Sequence, residues 1–134
     1  MVTVNTDDSA RLAVLRMLEE GVGAVAVCTV GRLVGIFTER DVLSLSGSGT
    51  DLDVVRVGDV MTRSPFTIDV RAAVLDAARL MGEKKIRHLP VVDGDGEHLL
   101  GMVGIRDILG SLVERLWQTK DPAAHDTARS LFKS

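Results

Sequence analysis

Gly35-Ile36-Phe37-Thr38-Glu39-Arg40-Asp41 comes back further along the chain as Gly101-Met102-Val103-Gly104-Ile105-Arg106-Asp107, at an offset of 66. In each stretch a glycine leads through apolar residues to a small or hydroxyl residue. A carboxylate follows three positions later, where a helix begins. Such a pattern is in the first place a helix cap. The same groups also suit a ligand, because free N–H groups and a hydroxyl can hold phosphate oxygens while an aspartate accepts from both hydroxyls of a ribose. One copy leaves both readings open. The recurrence makes the heptad a repeated strand end and helix start, a polar hook present twice.

Outward from the first hook, Thr3-Val4 reads as a short β opening, and Asp7-Asp8-Ser9 supplies caps for a helix with Leu12, Ala13, Leu15, Met17 and Leu18 on its apolar side. Gly21 and Gly23 end that helix. Ala24 to Cys28 is a continuously apolar strand of the kind buried on both faces. Gly31-Arg32 is a tight turn, Leu33 to Phe37 runs into Thr38, and Asp41-Val42-Leu43 starts a short helix ahead of the Ser- and Gly-rich stretch from Ser44 to Thr50.

Phe66-Thr67-Ile68-Asp69 repeats the opening, and Val74, Leu75, Ala78, Leu80 and Met81 repeat the helix. An offset of 64 carries Thr3-Val4-Asn5 onto Thr67-Ile68-Asp69, Met17 onto Met81, and Val22 to Cys28 onto Ile86 to Val92. The change from 64 to 66 falls in the Asp93-Gly94-Asp95-Gly96 turn, where hairpin loops vary at little cost. That turn lacks the oxygen-ligand spacing of a calcium loop.

Each copy thus reads β-α-β-β-α and is too short to bury both sheet faces alone, so a pseudo-two-fold pair of α/β (α+β) class is expected. The expected organisation is a first repeat at 1–46, a linker at 47–56, a second repeat at 57–115 and a helical tail at 116–134. Leu112, Val113, Leu116 and Trp117 prolong the last helix, and Asp121-Pro122 opens a final one with Ala128, Leu131 and Phe132. Trp117 and Phe132 either fold back onto the domain or form a self-association surface.

Composition narrows the function. Aromatic residues make up only 3% of the chain, too few for base-stacking platforms, and with a net charge of −3 and no basic run nucleic acid is excluded as a direct partner. Cys28 is the single cysteine, which rules out an intrachain disulfide and favours a reducing, cytoplasmic setting. No apolar run is long enough for a membrane span or signal peptide. His88, His98 and His125 stand at no metal-ligand spacing, and no nucleophile motif or cofactor fingerprint is present, so the chain is not expected to be an enzyme.

The tandem pattern, with Val57-Gly58-Asp59-Val60-Met61-Thr62 opening the second copy, Ile86-Arg87-His88-Leu89-Pro90-Val91-Val92 as its middle strand and the G-h-h-T-x-x-D hook, resembles the paired CBS domain, named for cystathionine β-synthase. The resemblance covers residues 1 to 115, the second copy more fully than the first. It implies two clefts for adenosyl ligands, AMP, ADP or ATP foremost, with S-adenosylmethionine or NAD as alternatives. It also implies a regulatory sensor that works by ligand-dependent conformational change on a regulated protein, and commonly a homodimer. A dimerisation or interaction scaffold with vestigial clefts is the alternative.

The resemblance further implies that each cleft joins the hook of one copy to the opening segment and middle strand of the other. The first would then hold Phe37, Thr38, Arg40 and Asp41 with Val60, Met61, Thr62, Ile86, Arg87, His88 and Pro90. The second would hold Thr3, Val22, Gly23 and Ala24 with Val103, Gly104, Arg106 and Asp107. On that assignment the second cleft has Gly104, Gly23 and Ala24 where the first has Thr38, Arg87 and His88, and the first is expected to bind phosphorylated nucleotide more tightly.

Overall fold

The computed structural model describes residues 2–96, 98–118 and 123. The expected final helix from Asp121, with Phe132 and His125, lies outside them. The elements run β1 (Thr3–Asn5), α1 (Ala10–Glu20), β2 (Ala24–Thr29), β3 (Arg32–Thr38), α2 (Glu39–Gly47), α3 (Val57–Val60), β4 (Thr62–Arg63), β5 (Ile68–Asp69), α4 (Val74–Lys84), β6 (His88–Asp93), β7 (His98–Gly104) and α5 (Ile105–Trp117). They form an α/β fold with two sheets, ordered β1-β2-β3-β4 and β5-β6-β7.

The repeat is visible bond by bond. Val4 pairs with Val27 in the parallel β1/β2 ladder, and Ile68 pairs with Val91 in the parallel β5/β6 ladder, both partners moved by the same offset. Val22 N–H donates to the Met17 carbonyl at 3.0 Å, and Ile86 N–H donates to the Met81 carbonyl at 3.1 Å. Glu39 N–H donates to Gly23 at 3.0 Å, and Ile105 N–H donates to Arg87 at 2.8 Å.

The chain divides into a larger compact unit, residues 1–70 with 90–102, and a smaller one, residues 71–89 with 103–134. The core of the larger unit gathers Val4, Ala10, Ala13, Met17, Val25, Val27, Phe37 and Val57. Burial of Phe37 alone stabilises by about 3 kcal/mol. In the smaller unit α4 and α5 pack together, with Ala77, Met81, Leu89, Ile108 and Val113 buried.

Ser9 caps α1, its side chain accepting from Leu12 N–H at 3.1 Å, and Gly21 closes it in the left-handed region with φ 66°. The face of α1 differs from the expectation. Ala10, Ala13 and Met17 point inward, whereas Leu15 and Leu18 are exposed, because the sheet meets a narrow stripe of small residues. Likewise α4 buries Ala77 and Met81 and leaves Leu75 exposed. The β2/β3 turn is made by Val30 and Gly31, with φ 49° and 75°, so Arg32 already belongs to the strand.

The stretch expected as a linker is tied down. Helix α2 runs to Gly47, and residues 52–58 are then strapped across the start of α1. Ala10 N–H donates to Val55 at 2.9 Å, Arg11 N–H to Leu52 at 3.0 Å, Val57 N–H to Asp8 at 2.9 Å and Gly58 N–H to Thr6 at 2.9 Å. An Arg11–Asp53 ion pair lies on the same strap. The first two of these bonds satisfy N–H groups at the helix start that have no intrahelical partner.

Candidate functional site

The first hook lies in the larger unit at the junction of β3 and α2. Thr38 is the N-cap, and Asp41, at the third helical position, reaches back so that its Oδ2 accepts from Thr38 N–H at 2.8 Å and from Thr38 Oγ1 at 3.3 Å. The cap therefore engages one carboxylate oxygen. Beside this hook β4 pairs with β3, Thr62 opposite Ile36 and Arg63 opposite Gly35, and Met61 and Val60 pack on the core that holds Phe37. Gly35 gives Met61 its room: a Cβ there would overlap the Met61 sulfur and sit 2.8 Å from the Thr62 carbonyl oxygen.

The second hook lies in the smaller unit at the junction of β7 and α5. Asp107 Oδ2 accepts from Gly104 N–H at 2.9 Å, the same reach-back without a hydroxyl. A Cβ on Gly104 would stand 3.5 Å from that oxygen, and 3.5 and 3.7 Å from Cδ2 and Nε2 of His88. The His88 ring and the Asp107 carboxylate thus flank one point, and the neighbouring Arg87 is fastened through its carbonyl to the first residue of α5.

Beside each hook lies the start of the middle strand of its own repeat. Arg87 and His88 stand at the second hook, and Gly23 and Ala24 stand at the first, where Ala24 pairs with Thr38 and Gly23 accepts from Glu39. The physical reason is hairpin register: β2 and β3 of one repeat are joined by a tight turn, so the start of the middle strand must face the end of its own hook strand.

Other expected site residues fall elsewhere. Phe37, Pro90 and Ala24 are buried. Thr3 borders an open groove of about 410 Å³ with Asn5, Asp8, Arg16 and Cys28. Partial burial pushes the Cys28 thiol above its ordinary pKa. Val22 borders an apolar groove of about 470 Å³ between α1 and α2. Arg40 and Arg106 are exposed on the first turns of α2 and α5, Val103 is partly buried ahead of Gly104, and Ile86 is half-buried beyond the end of α4.

A tandem α/β module in which each copy ends a strand in an aspartate-closed hook defines the class. The chain belongs to the CBS domain family, whose model matches residues 1–48 and 57–114. It is 38% identical over 114 residues to the CBS domain-containing protein CBSX3, mitochondrial, of Arabidopsis thaliana, covering 81% of this chain and 54% of that protein. The chain spans less than two thirds of the curated relatives it matches.

Among solved structures it resembles a putative signal-transduction protein with CBS domains from Burkholderia ambifaria, with TM-score 0.80 and 30% identity over 91% of this chain and 88% of that one. It also resembles CBSX2 in complex with AMP, with TM-score 0.74 and 31% identity over 86% of this chain and 89% of that one. Among the described residues no helix is long and apolar enough to cross a membrane.

Proposed function

We propose that this chain is a regulatory module that binds an adenine nucleotide, AMP, ADP or ATP, and passes occupancy to a regulated protein by shifting a conformational equilibrium. One observation supports the reading: both repeats build the same hook, in which an aspartate closes its own helix cap with one oxygen, and we propose that the other accepts from a ribose. The solved structure of CBSX2 with AMP, a relative of similar length, supports the choice of ligand. Residues for which we propose contact are Thr38, Arg40, Asp41, Val60, Met61 and Thr62 at the first hook, and Ile86, Arg87, His88, Gly104, Arg106 and Asp107 at the second. A cytoplasmic setting and the repeat boundaries given above belong to the same proposal.

A thermal-shift series with AMP, ADP, ATP, NAD and S-adenosylmethionine tests it. A ligand of the native state raises Tm as its concentration passes Kd, by about 2.7 kcal/mol of stabilisation at a hundredfold excess over Kd. Flat curves for all five ligands overturn the sensor.

A second reading is self-association. Leu18 and Leu43 are exposed along the apolar α1/α2 groove, a surface suited to a second copy. The two readings are compatible, since a dimer interface offers a place for a conformational shift to be read.

A further inference from the structure

The Asp93-Gly94-Asp95-Gly96 turn joins β6 to β7 and holds the two Asp-Gly pairs of the chain. In such a pair the aspartyl side chain can reach the next backbone nitrogen, because glycine has no side chain to screen it. The two pairs are held differently. Asp93 folds back on its own neighbour: its Oδ1 accepts from Gly94 N–H at 2.9 Å, and both residues are exposed. The nitrogen and the carboxyl are thus already in contact, the arrangement from which an intramolecular reaction gains most.

In the second pair both groups are engaged elsewhere. Gly96 N–H donates to the Asp93 carbonyl at 2.9 Å. Asp95 Oδ1 accepts from His98 N–H at 3.1 Å, which aims that carboxylate at the start of β7.

We propose that Asp93 is a site of self-modification, at which the chain isomerises to isoaspartate through a cyclic imide, and that Asp95 is protected by its hydrogen bonds. With Asp93 in its acid form, the Gly94 nitrogen bonds to Cγ and the Cγ–OH bond breaks. The oxygen leaves as water, taking its own proton and the one from the Gly94 nitrogen. Solvent water then reopens the ring. Attack at Cγ restores aspartate, whereas attack at the former backbone carbonyl breaks its bond to the Gly94 nitrogen and routes the chain through Cβ and Cγ. The main chain gains one methylene, and the former carbonyl becomes a free carboxyl. That carbonyl is the one that accepts from Gly96 N–H, so the turn loses a bond that closes it. Since a turn sets the register of its hairpin, isomerised protein melts at a lower temperature than fresh protein.

Incubation of the full chain in warm, mildly acidic water labelled with heavy oxygen tests the assignment. Tryptic cleavage after Arg87 and Arg106 releases residues 88–106, with both pairs in one peptide, and electron-transfer fragmentation locates isoaspartate and label within it. In the folded protein isoaspartate forms at Asp93 at least about tenfold faster than at Asp95. In urea, where the hydrogen bonds are gone, the two rates approach each other. Gly94→Val screens the nitrogen and slows the reaction at Asp93 in the folded and the unfolded chain alike, so its effect is read whether or not the variant folds. Equal isomerisation of Asp93 and Asp95 in the folded protein, a ratio that survives unfolding, or no isoaspartate at Asp93 overturns the proposal.

Discussion

Gly35 and Gly101 occupy the same place in the two repeats and have different surroundings. A Cβ on Gly35 would overlap the Met61 sulfur and stand 2.8 Å from the Thr62 carbonyl, whereas a Cβ on Gly101 would meet nothing within 4 Å. Gly35 is required for space, since Met61 lies against the strand that leads into the first hook. Overpacking of this kind costs about 1 to 3 kcal/mol. Gly35→Ala should therefore lower stability in urea by that amount, while Gly101→Ala stays within about 0.5 kcal/mol of wild type. Equal effects at the two sites would refute the close packing of Met61, and Met61→Ala should rescue part of the loss in the double variant.

Three helices open with one device. Asp41 in α2, Asp76 in α4 and Asp107 in α5 each turn back to accept the N-cap N–H, of Thr38, Ala73 and Gly104, at 2.8, 3.1 and 2.9 Å. Removing such a bond costs about 1 kcal/mol. Each Asp→Ala variant should then lose that much stability without ligand. Asp76→Ala alone should leave nucleotide affinity within experimental error, which denaturation and titration on the same samples would separate. If Asp107→Ala lost affinity but no stability, the carboxylate would serve the ligand and not the cap.

At this scale much was legible in the sequence. Caps, glycine stops and the repeat offsets located α1, α4 and the starts of α2 and α5, because those signals are local, whereas the short α3 at Val57–Val60 was not read as a helix. The faces of α1 and α4 were not, since the narrow apolar stripe that packs is chosen by the sheet beneath it and Leu15, Leu18 and Leu75 were left outside. The strap at residues 52–58 was hidden for a similar reason: its bonds run from backbone to backbone and leave no mark in side-chain type. That each hook adjoins the start of its own repeat's middle strand comes from hairpin register, shown by the Ala24–Thr38 pairing, and is not marked by residue type.

For the whole molecule the open question is what covers the α1/α2 face. Leu18 and Leu43 are 74% and 73% exposed, and with Val14, Met17, Val22 and Val42 they border a groove in which Glu39 is the charged residue. Buried apolar surface yields about 25 cal/mol per Å², so two such faces laid on each other bring together leucines that otherwise remain in water. In the self-association proposed above, the face meets its own copy across a two-fold axis, a contact that closes and does not propagate. Sedimentation of the wild type should therefore show a dimer that dissociates on dilution. Leu18→Asp and Leu43→Asp should shift it to monomer, each placing a like charge at a position repeated across the axis. Because both leucines are exposed in the single chain, the monomeric variants should keep their fold by circular dichroism. A wild type that stays monomeric over the whole concentration series would remove the dimer and leave the groove for a different partner.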